Sequence, residues 1–195
     1  VVAPRVLVLS GSERRGSLNA KLAALAGSVA AAQGAVVTRL DLRALALPVY
    51  DGDVEAAGLP DGALELCRQF AAHDALLLAS PEYNAFVPPL LVNALDWCSR
   101  VPAGGERPSG LAAMAGTVAG LMSASPGAFG GLRSLTVLRS FLGQTLGMLV
   151  VPQQQAVPLA HQAFDDAGAL REPRLQQGLE AVVASVLRVA AAVRR

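Results

Sequence analysis

Residues 75–79, Ala-Leu-Leu-Leu-Ala, form an apolar run with no polar residue to mark a solvent face. Five residues is strand length, and a strand without polar alternation belongs in a sheet covered on both sides. The polar stretch Ser80-Pro81-Glu82-Tyr83-Asn84 interrupts it, and from Val87 the apolar residues return at helical spacing. Pro88 and Pro89 suit a helix start, where the N–H they lack has no intrahelical partner. Strand, stiff loop and helix form the repeating unit of an α/β sheet, whose ligands bind beyond the carboxyl ends of the strands.

The unit recurs. Residues 5–9, Arg-Val-Leu-Val-Leu, give a first strand close behind Val1, and 10–16 a loop. Ser17 stands as N-cap ahead of Leu18, Leu22, Leu25, Ala26 and Val29, a stripe that predicts a helix ending near Gly34. Residues 35–40 give a second strand, with Asp41 at its end. Residues 43–59 hold Pro48, Tyr50, Asp51 and Gly52 without a clean period and read as a surface connection. Asp61 is placed to cap a helix that ends before Asp74. After the third strand, a helix over 87–100 puts Leu90, Leu91, Ala94, Leu95 and Cys98 on one face and leaves Val87, Val92 and Trp97 off it. A fourth strand over 116–122, a loop over 123–131 and a helix over 132–146 follow. A fifth strand over 148–151 is closed by Pro152, and a polar connection over 153–173 leads to a last helix striped by Leu175, Leu179, Val182, Val183, Val186, Leu187 and Ala190.

Five strands alternating with five helices predict a doubly wound α/β fold: a parallel sheet with right-handed crossovers and helices on both faces. In the flavodoxin-like strand order 2-1-3-4-5, the loops after strands one, three and four converge at the switch point. Residues 1–195 read as a single domain with no internal repeat. Hydrophobic residues make up 53% of the chain and charged residues 16%, against about 25% charge in ordinary soluble domains. So little polar surface points to a homodimer or homotetramer, with the over-apolar helices 87–100 and 132–146 at the contact. A net charge of +1 and the absence of a basic cluster argue against nucleic-acid binding; Arg194-Arg195 reads as a solvated tail. Residues 108–132 carry no charge, but glycines and Pro126 break them, no 18-residue apolar run occurs, and no membrane span is expected. Cys67 and Cys98 lack CxxC spacing and read as buried, reduced thiols; with no signal peptide ahead of the first strand, the protein is expected in the cytoplasm.

Three loops carry candidate chemistry. In the first, Gly11-Ser12-Glu13-Arg14-Arg15-Gly16-Ser17-Leu18-Asn19, glycines let the backbone approach an anion. Ser12, Ser17 and Asn19 offer neutral donors, Arg14 or Arg15 a charge, and the helix start its unpaired N–H groups. The spacing fits neither a Walker loop nor GxGxxG, and an ordinary capped turn explains the stretch equally well. In the second, Pro81-Glu82-Tyr83-Asn84 forms either a tight turn or a ledge for a planar ring, with Glu82 a loop charge or a catalytic acid. In the third, Ser125 beside Pro126-Gly127 is turn chemistry or a ligand contact. His73 and His161 are isolated, and no GxSxG elbow occurs.

Together, GSERRGSLN, PEYN with Pro88 and NALDW, and SASPGAFGG resemble the NADPH-dependent FMN reductase family, close to the bacterial chromate and quinone reductases. The resemblance runs from the first strand to the fifth. It implies that Ser12, Arg14, Ser17, Leu18 and Asn19 hold the FMN phosphate, that Pro81, Glu82, Tyr83 and Asn84 line the isoalloxazine mostly through main chain, and that Ser125 lies near the flavin. It further implies ping-pong transfer from NADPH or NADH to a quinone, azo, flavin or chromate-type electron acceptor, without a protein nucleophile or metal. The chain departs from the family pattern at Glu13, Val92 and Ala128, and the last two leave the choice between NADPH and NADH open. An electron carrier, which the near-neutral charge disfavours, and a nucleotide hydrolase or glycosyl transferase using Glu82 are the alternatives on the same sheet.

Overall fold

The computed structural model describes residues 2–12 and 14–193. Val1, Glu13 and the pair Arg194-Arg195 lie outside the described residues, and with them the chain start, the charge expected beside an anion and the solvated tail. Strands β1 (Arg5–Ser10), β2 (Val36–Leu40), β3 (Ala75–Ala79), β4 (Val118–Ala124) and β5 (Leu149–Val157) form one parallel sheet in the order 2-1-3-4-5. This is the expected flavodoxin-like topology. Helices α1 (Leu18–Ala32), α2 (Gly52–Ala57), α3 (Asp61–Ala72), α4 (Pro89–Arg100), α5 (Gly110–Met114), α6 (Leu132–Ser140), α7 (Ala160–Ala163) and α8 (Pro173–Val193) complete the described elements, with 3₁₀ and π turns over Leu42–Leu45 and Phe141–Thr145. Among the described residues, no helix is long and apolar enough to cross a membrane.

The uninterrupted apolar strands are central because each face needs a cover. Leu7, Leu9, Leu76, Leu78 and Leu121 pack into a core shared with α3, α4 and α6. Their neighbours Val6, Val8, Ala75, Leu77 and Met122 pack into a second core with α1 and α8. Every residue of β3 and β4 is buried. The period of two therefore divides a wholly apolar strand between two cores rather than between core and water.

Several boundaries differ from expectation for local reasons. Asp61 is the first residue of α3, not its cap; Pro60 holds the N-cap position, and Asp61 instead places charge in the first turn. Gly116 turns at φ +78° and donates its N–H to Gly147 O, so β4 starts two residues late, at Val118, and runs through Ser123 and Ala124. Pro152 does not close β5. The strand runs on to Val157 because the register slips between Ala119 and Leu121, leaving Pro152 inside an irregularity of an outer strand, where a missing N–H breaks no regular ladder. The connection over 43–59 contains α2 and crosses α4. Trp97 is fully buried there: its Nε1 donates to Pro48 O at 2.8 Å, and the Tyr50 ring meets it edge-on at 5.1 Å. Part of the excess apolar surface of α4 is thus covered by the chain's own connection. Val92 is half-buried at the flank of the same core.

Candidate active site

The loops after β1, β3 and β4 meet at the carboxyl edge of the sheet, joined by hydrogen bonds and close packing. Gly11 donates its N–H to Ala79 O at 2.9 Å, tying the first loop to the end of β3. A Cβ at Gly11 would lie 3.3 Å from Pro88 and 3.4 Å from both Pro81 and Leu91, so glycine permits this approach. Asn19 ties α1 to β4: its Nδ2 donates to Ala124 O and its Oδ1 accepts from Ala124 N–H, both at 2.9 Å. Asn19 and Ala124 are each 3% exposed.

Glu82 makes the third tie. Helix α6 follows Gly131, which sits at φ +87° and has no side chain to cap it. The Glu82 carboxylate reaches across instead, accepting from Ser134 N–H at 3.2 Å and pairing with the Arg133 guanidinium. Burial opposes its charge, yet the bonds from Arg133 and Ser134 outweigh that and hold the carboxyl below its ordinary range. Glu82 is thus neither a free loop charge nor an acid aimed at a ligand; it is the cap of α6. The signal for this was the Gly130-Gly131 pair before a helix, which leaves the cap to come from elsewhere. Arg133 was not anticipated.

Around these ties lie groups able to receive a ligand. Ser17 caps α1, its Oγ accepting from Ala20 N–H at 3.2 Å, as its position predicts. Among the described residues, no partner is recorded for the N–H groups of Leu18 and Asn19 in the first turn, and Ser12 is half-exposed beside them. These groups, with the positive end of the α1 dipole, suit a phosphate. Gly16, at φ +68°, has nothing within 4 Å of where a Cβ would stand, so a ligand can approach the main chain there.

Tyr83 and Phe86 exchange both backbone hydrogen bonds, at 3.0 and 2.9 Å, around Asn84 and Ala85, at φ +53° and +63°. This is the two-residue turn in which both central residues are left-handed; Asn tolerates that conformation and Ala is strained in it. The N–H groups of Glu82 and Asn84 have no recorded partner among the described residues. Tyr83 and Phe86 are both more than half exposed, as is Phe129, whose ring lies 5.8 Å from the Arg133 guanidinium. Ser125 accepts at Oγ from Gly127 N–H at 3.2 Å, and its main chain is anchored to Val157 and Ala160.

Arg14 and Arg15 are exposed and, with Ser12, line a cleft of about 450 Å³ that reaches the end of β2. A second cavity, about 460 Å³, opens near Arg5, His73, Asp74 and Thr117 at the amino ends of the strands, away from the three loops.

The model of the NADPH-dependent FMN reductase family matches residues 4–162. The chain is 36% identical over 187 residues to an NAD(P)H-dependent FMN reductase of Pseudomonas aeruginosa, covering 91% of this chain and 92% of that one. It is 34% identical over 174 residues to a quinone reductase of Pseudomonas putida, covering 86% and 84%. Among solved structures, the FerB flavoenzyme NAD(P)H:(acceptor) oxidoreductase of Paracoccus denitrificans superposes with a TM-score of 0.80 at 26% identity, covering 97% of this chain and 98% of that chain.

Proposed function

The chain belongs to the NADPH-dependent FMN reductase family, and we propose that its three joined loops hold FMN to pass electrons from a nicotinamide to a quinone-type acceptor. Main-chain donors with no partner among the described residues, at both ends of the three joined loops, carry this reading. At one end, the N–H groups of Leu18 and Asn19, the Ser12 and Ser17 hydroxyls and the Arg14 charge meet the phosphate. At the other, the N–H groups of Glu82 and Asn84 meet the polar edge of the ring, with Pro81 and Tyr83 as its ledge and Ser125 across from it. Bound FMN supplies hydride acceptance and donation, which protein side chains lack.

The residues of this chain orient and exclude. Asn19 and Glu82 brace the loops so that the donors need not reorganise when the cofactor arrives, which is what preorganisation requires. The carboxylate of Glu82 is engaged with α6, so no protein acid takes part in proton transfer from that position. Donor and acceptor use the same exposed ledge in turn, which makes the cycle ping-pong. Tyr83, Phe86, Phe129 and Leu132, exposed apolar residues around this edge, support pairing of two chains over it, and we read the protein as a homodimer of single-domain subunits. Cys67 and Cys98, buried and unpaired, suit the reducing cytoplasm.

The test is whether the purified protein binds FMN and is bleached anaerobically by NADPH or NADH, then recolours on addition of a quinone. A yellow protein that neither nicotinamide bleaches would be an electron carrier instead. A colourless protein that takes up no FMN would sink the flavin reading and return the nucleotide hydrolase.

A further inference from the structure

We propose that Phe129 and Arg133 together dock the electron acceptor and select a planar aromatic ring that carries a negative charge over a neutral quinone. The inference rests on the reductase reading above and adds which acceptors the exposed ledge favours. Phe129 is 66% exposed, yet the backbone that presents it is fixed. Its carbonyl accepts the Leu132 N–H at 3.0 Å, and Gly130 donates to Gly127 O at 3.2 Å. Gly130, at φ +60°, lies against the end of β5, where a Cβ would come within 2.7 Å of Pro158 N. Gly131 lies against β4, where a Cβ would overlap the Ser123 hydroxyl. An aromatic ring on a loop anchored from both sides has little freedom to lose when a flat ligand stacks on it.

Arg133 supplies the charge. Its Nε donates to Glu82 Oε1 at 2.9 Å and its Nη2 to the same oxygen, while the guanidinium carbon stands 5.8 Å from the centre of the Phe129 ring. The planar fork carries donors on all three nitrogens; Nη1 has no recorded partner among the described residues. The ion pair is lopsided: the Glu82 side chain is 9% exposed and that of Arg133 61%. A ligand arriving from solvent therefore meets the cation, with the carboxylate behind it. Glu82 immediately precedes Tyr83, so the pair sets ring and guanidinium beside the ledge assigned to the flavin. A ligand whose ring lies on Phe129 and whose anionic substituent meets Arg133 uses both groups at once. In a dimer paired over this edge, ring and guanidinium line the seam that the acceptor enters. The acceptor takes a hydride from the nicotinamide-reduced cofactor and a proton from water; its two carbonyls become hydroxyls, and its anionic group is untouched.

Two measurements on FMN-loaded protein test this. In calorimetry, wild type binds naphthalene-2-sulfonate about fivefold more tightly than 2-naphthol, which lacks the anion, or methanesulfonate, which lacks the ring; the factor is that of a charge-assisted contact discounted for solvent. Added salt narrows the margin over 2-naphthol. In stopped-flow reoxidation of chemically reduced protein, Arg133→Gln slows 1,4-naphthoquinone-2-sulfonate by about the same factor and menadione by less than about twofold; Arg133→Lys keeps most of the wild-type preference. Equal binding of the three ligands, or equal slowing of both quinones, would overturn the assignment. So would an equal slowing of flavin reduction by the nicotinamide nucleotide in Arg133→Gln, since the guanidinium would then serve the donor's phosphates. Phe129→Ala loosens the sulfonate without changing the sedimentation coefficient; a change to monomer with both quinones slowed alike would give the ring to the subunit contact instead. Failure of either nicotinamide to bleach the flavin, with the sulfonate margin intact, would sink the reductase reading and leave the docking site standing.

Discussion

Replacing Asn19 separates a bracing role from a ligand-contact role. Its carboxamide joins both main-chain polar groups of Ala124, 105 residues away, at 2.9 Å each, with both residues buried. Asn19→Ala strands a donor and an acceptor, each costing about 1–3 kcal/mol when left unsatisfied. Partial relief by entering water brings the combined loss to about 2–4 kcal/mol. For a chain of this length, that lowers Tm by roughly 4–16 °C. Urea unfolding of the FMN-free protein reads the loss directly, because no ligand contact exists there to be lost. Asn19→Asp keeps the acceptor but sets a carboxylate oxygen against the Ala124 carbonyl. Its folded-state pKa is therefore raised, the folded state binds more protons than the unfolded chain, and stability recovers as pH falls. An FMN-free Asn19→Ala protein within about 0.5 kcal/mol of wild type, combined with weakened FMN binding, would refute the bracing argument: the threshold is the scatter of ordinary surface substitutions.

Other consequences can be measured independently. The folded-state pKa of Glu82 is depressed, so its contribution to stability is present above the unfolded carboxyl value of about 4.3 and is lost as pH falls through the lower folded value; in acid titrations followed by circular dichroism, Glu82→Gln is less stable at neutral pH and loses that acid dependence. Ala85→Gly relieves about 1–2 kcal/mol of left-handed strain against about 0.5–1 kcal/mol of added chain entropy. Calorimetry should show Tm unchanged or raised by up to about 6 °C, and a clear fall would contradict the turn geometry. Burial raises the thiol pKa of both Cys67 and Cys98, so an aromatic disulfide reagent reacts with neither until urea unfolds the chain; fast labelling in native buffer would contradict their burial. Trp97→Phe removes the bond to Pro48 and destabilises by about 1 kcal/mol or more, read by urea unfolding; no loss would show that the bond contributes little.

The topology was legible because the central strands are uniformly apolar and because proline, glycine and Ser17 punctuate the elements that follow. The α1 cap and the α8 stripe lie where the spacing puts them, since both depend on neighbours a few residues away. What spacing could not supply was the long-range partnering of polar side chains. Asn19 and Glu82 belong to recognisable motifs, but whether a carboxamide or carboxylate faces a ligand or the main chain of another loop is decided across 105 and about 50 residues. Trp97 was unplaced for the same reason: its cover comes from the aperiodic connection through Pro48 and Tyr50. The extent of β5 was hidden by Pro152, which ends a regular strand but is tolerated where the register already slips. The cleft lined by Arg14, Arg15, Arg39 and Arg43 was not legible because these residues come from two distant stretches, 14–15 and 39–43, which the pairing of β1 with β2 brings together.

That slip at Pro152 also bears on how the molecule behaves in a crowded solution. The outer side of β5 would otherwise offer a nine-residue row of amide groups, a template onto which a strand from another chain could add. Arg139 covers part of that row, donating to Val151 O at 2.7 Å and Pro152 O at 3.4 Å, and the register slip at Pro152 breaks its regular spacing. The irregularity therefore acts as protection against edge-to-edge aggregation, and straightening it, by deleting Pro152 and one neighbour, would trade a better-paired strand for a stickier protein.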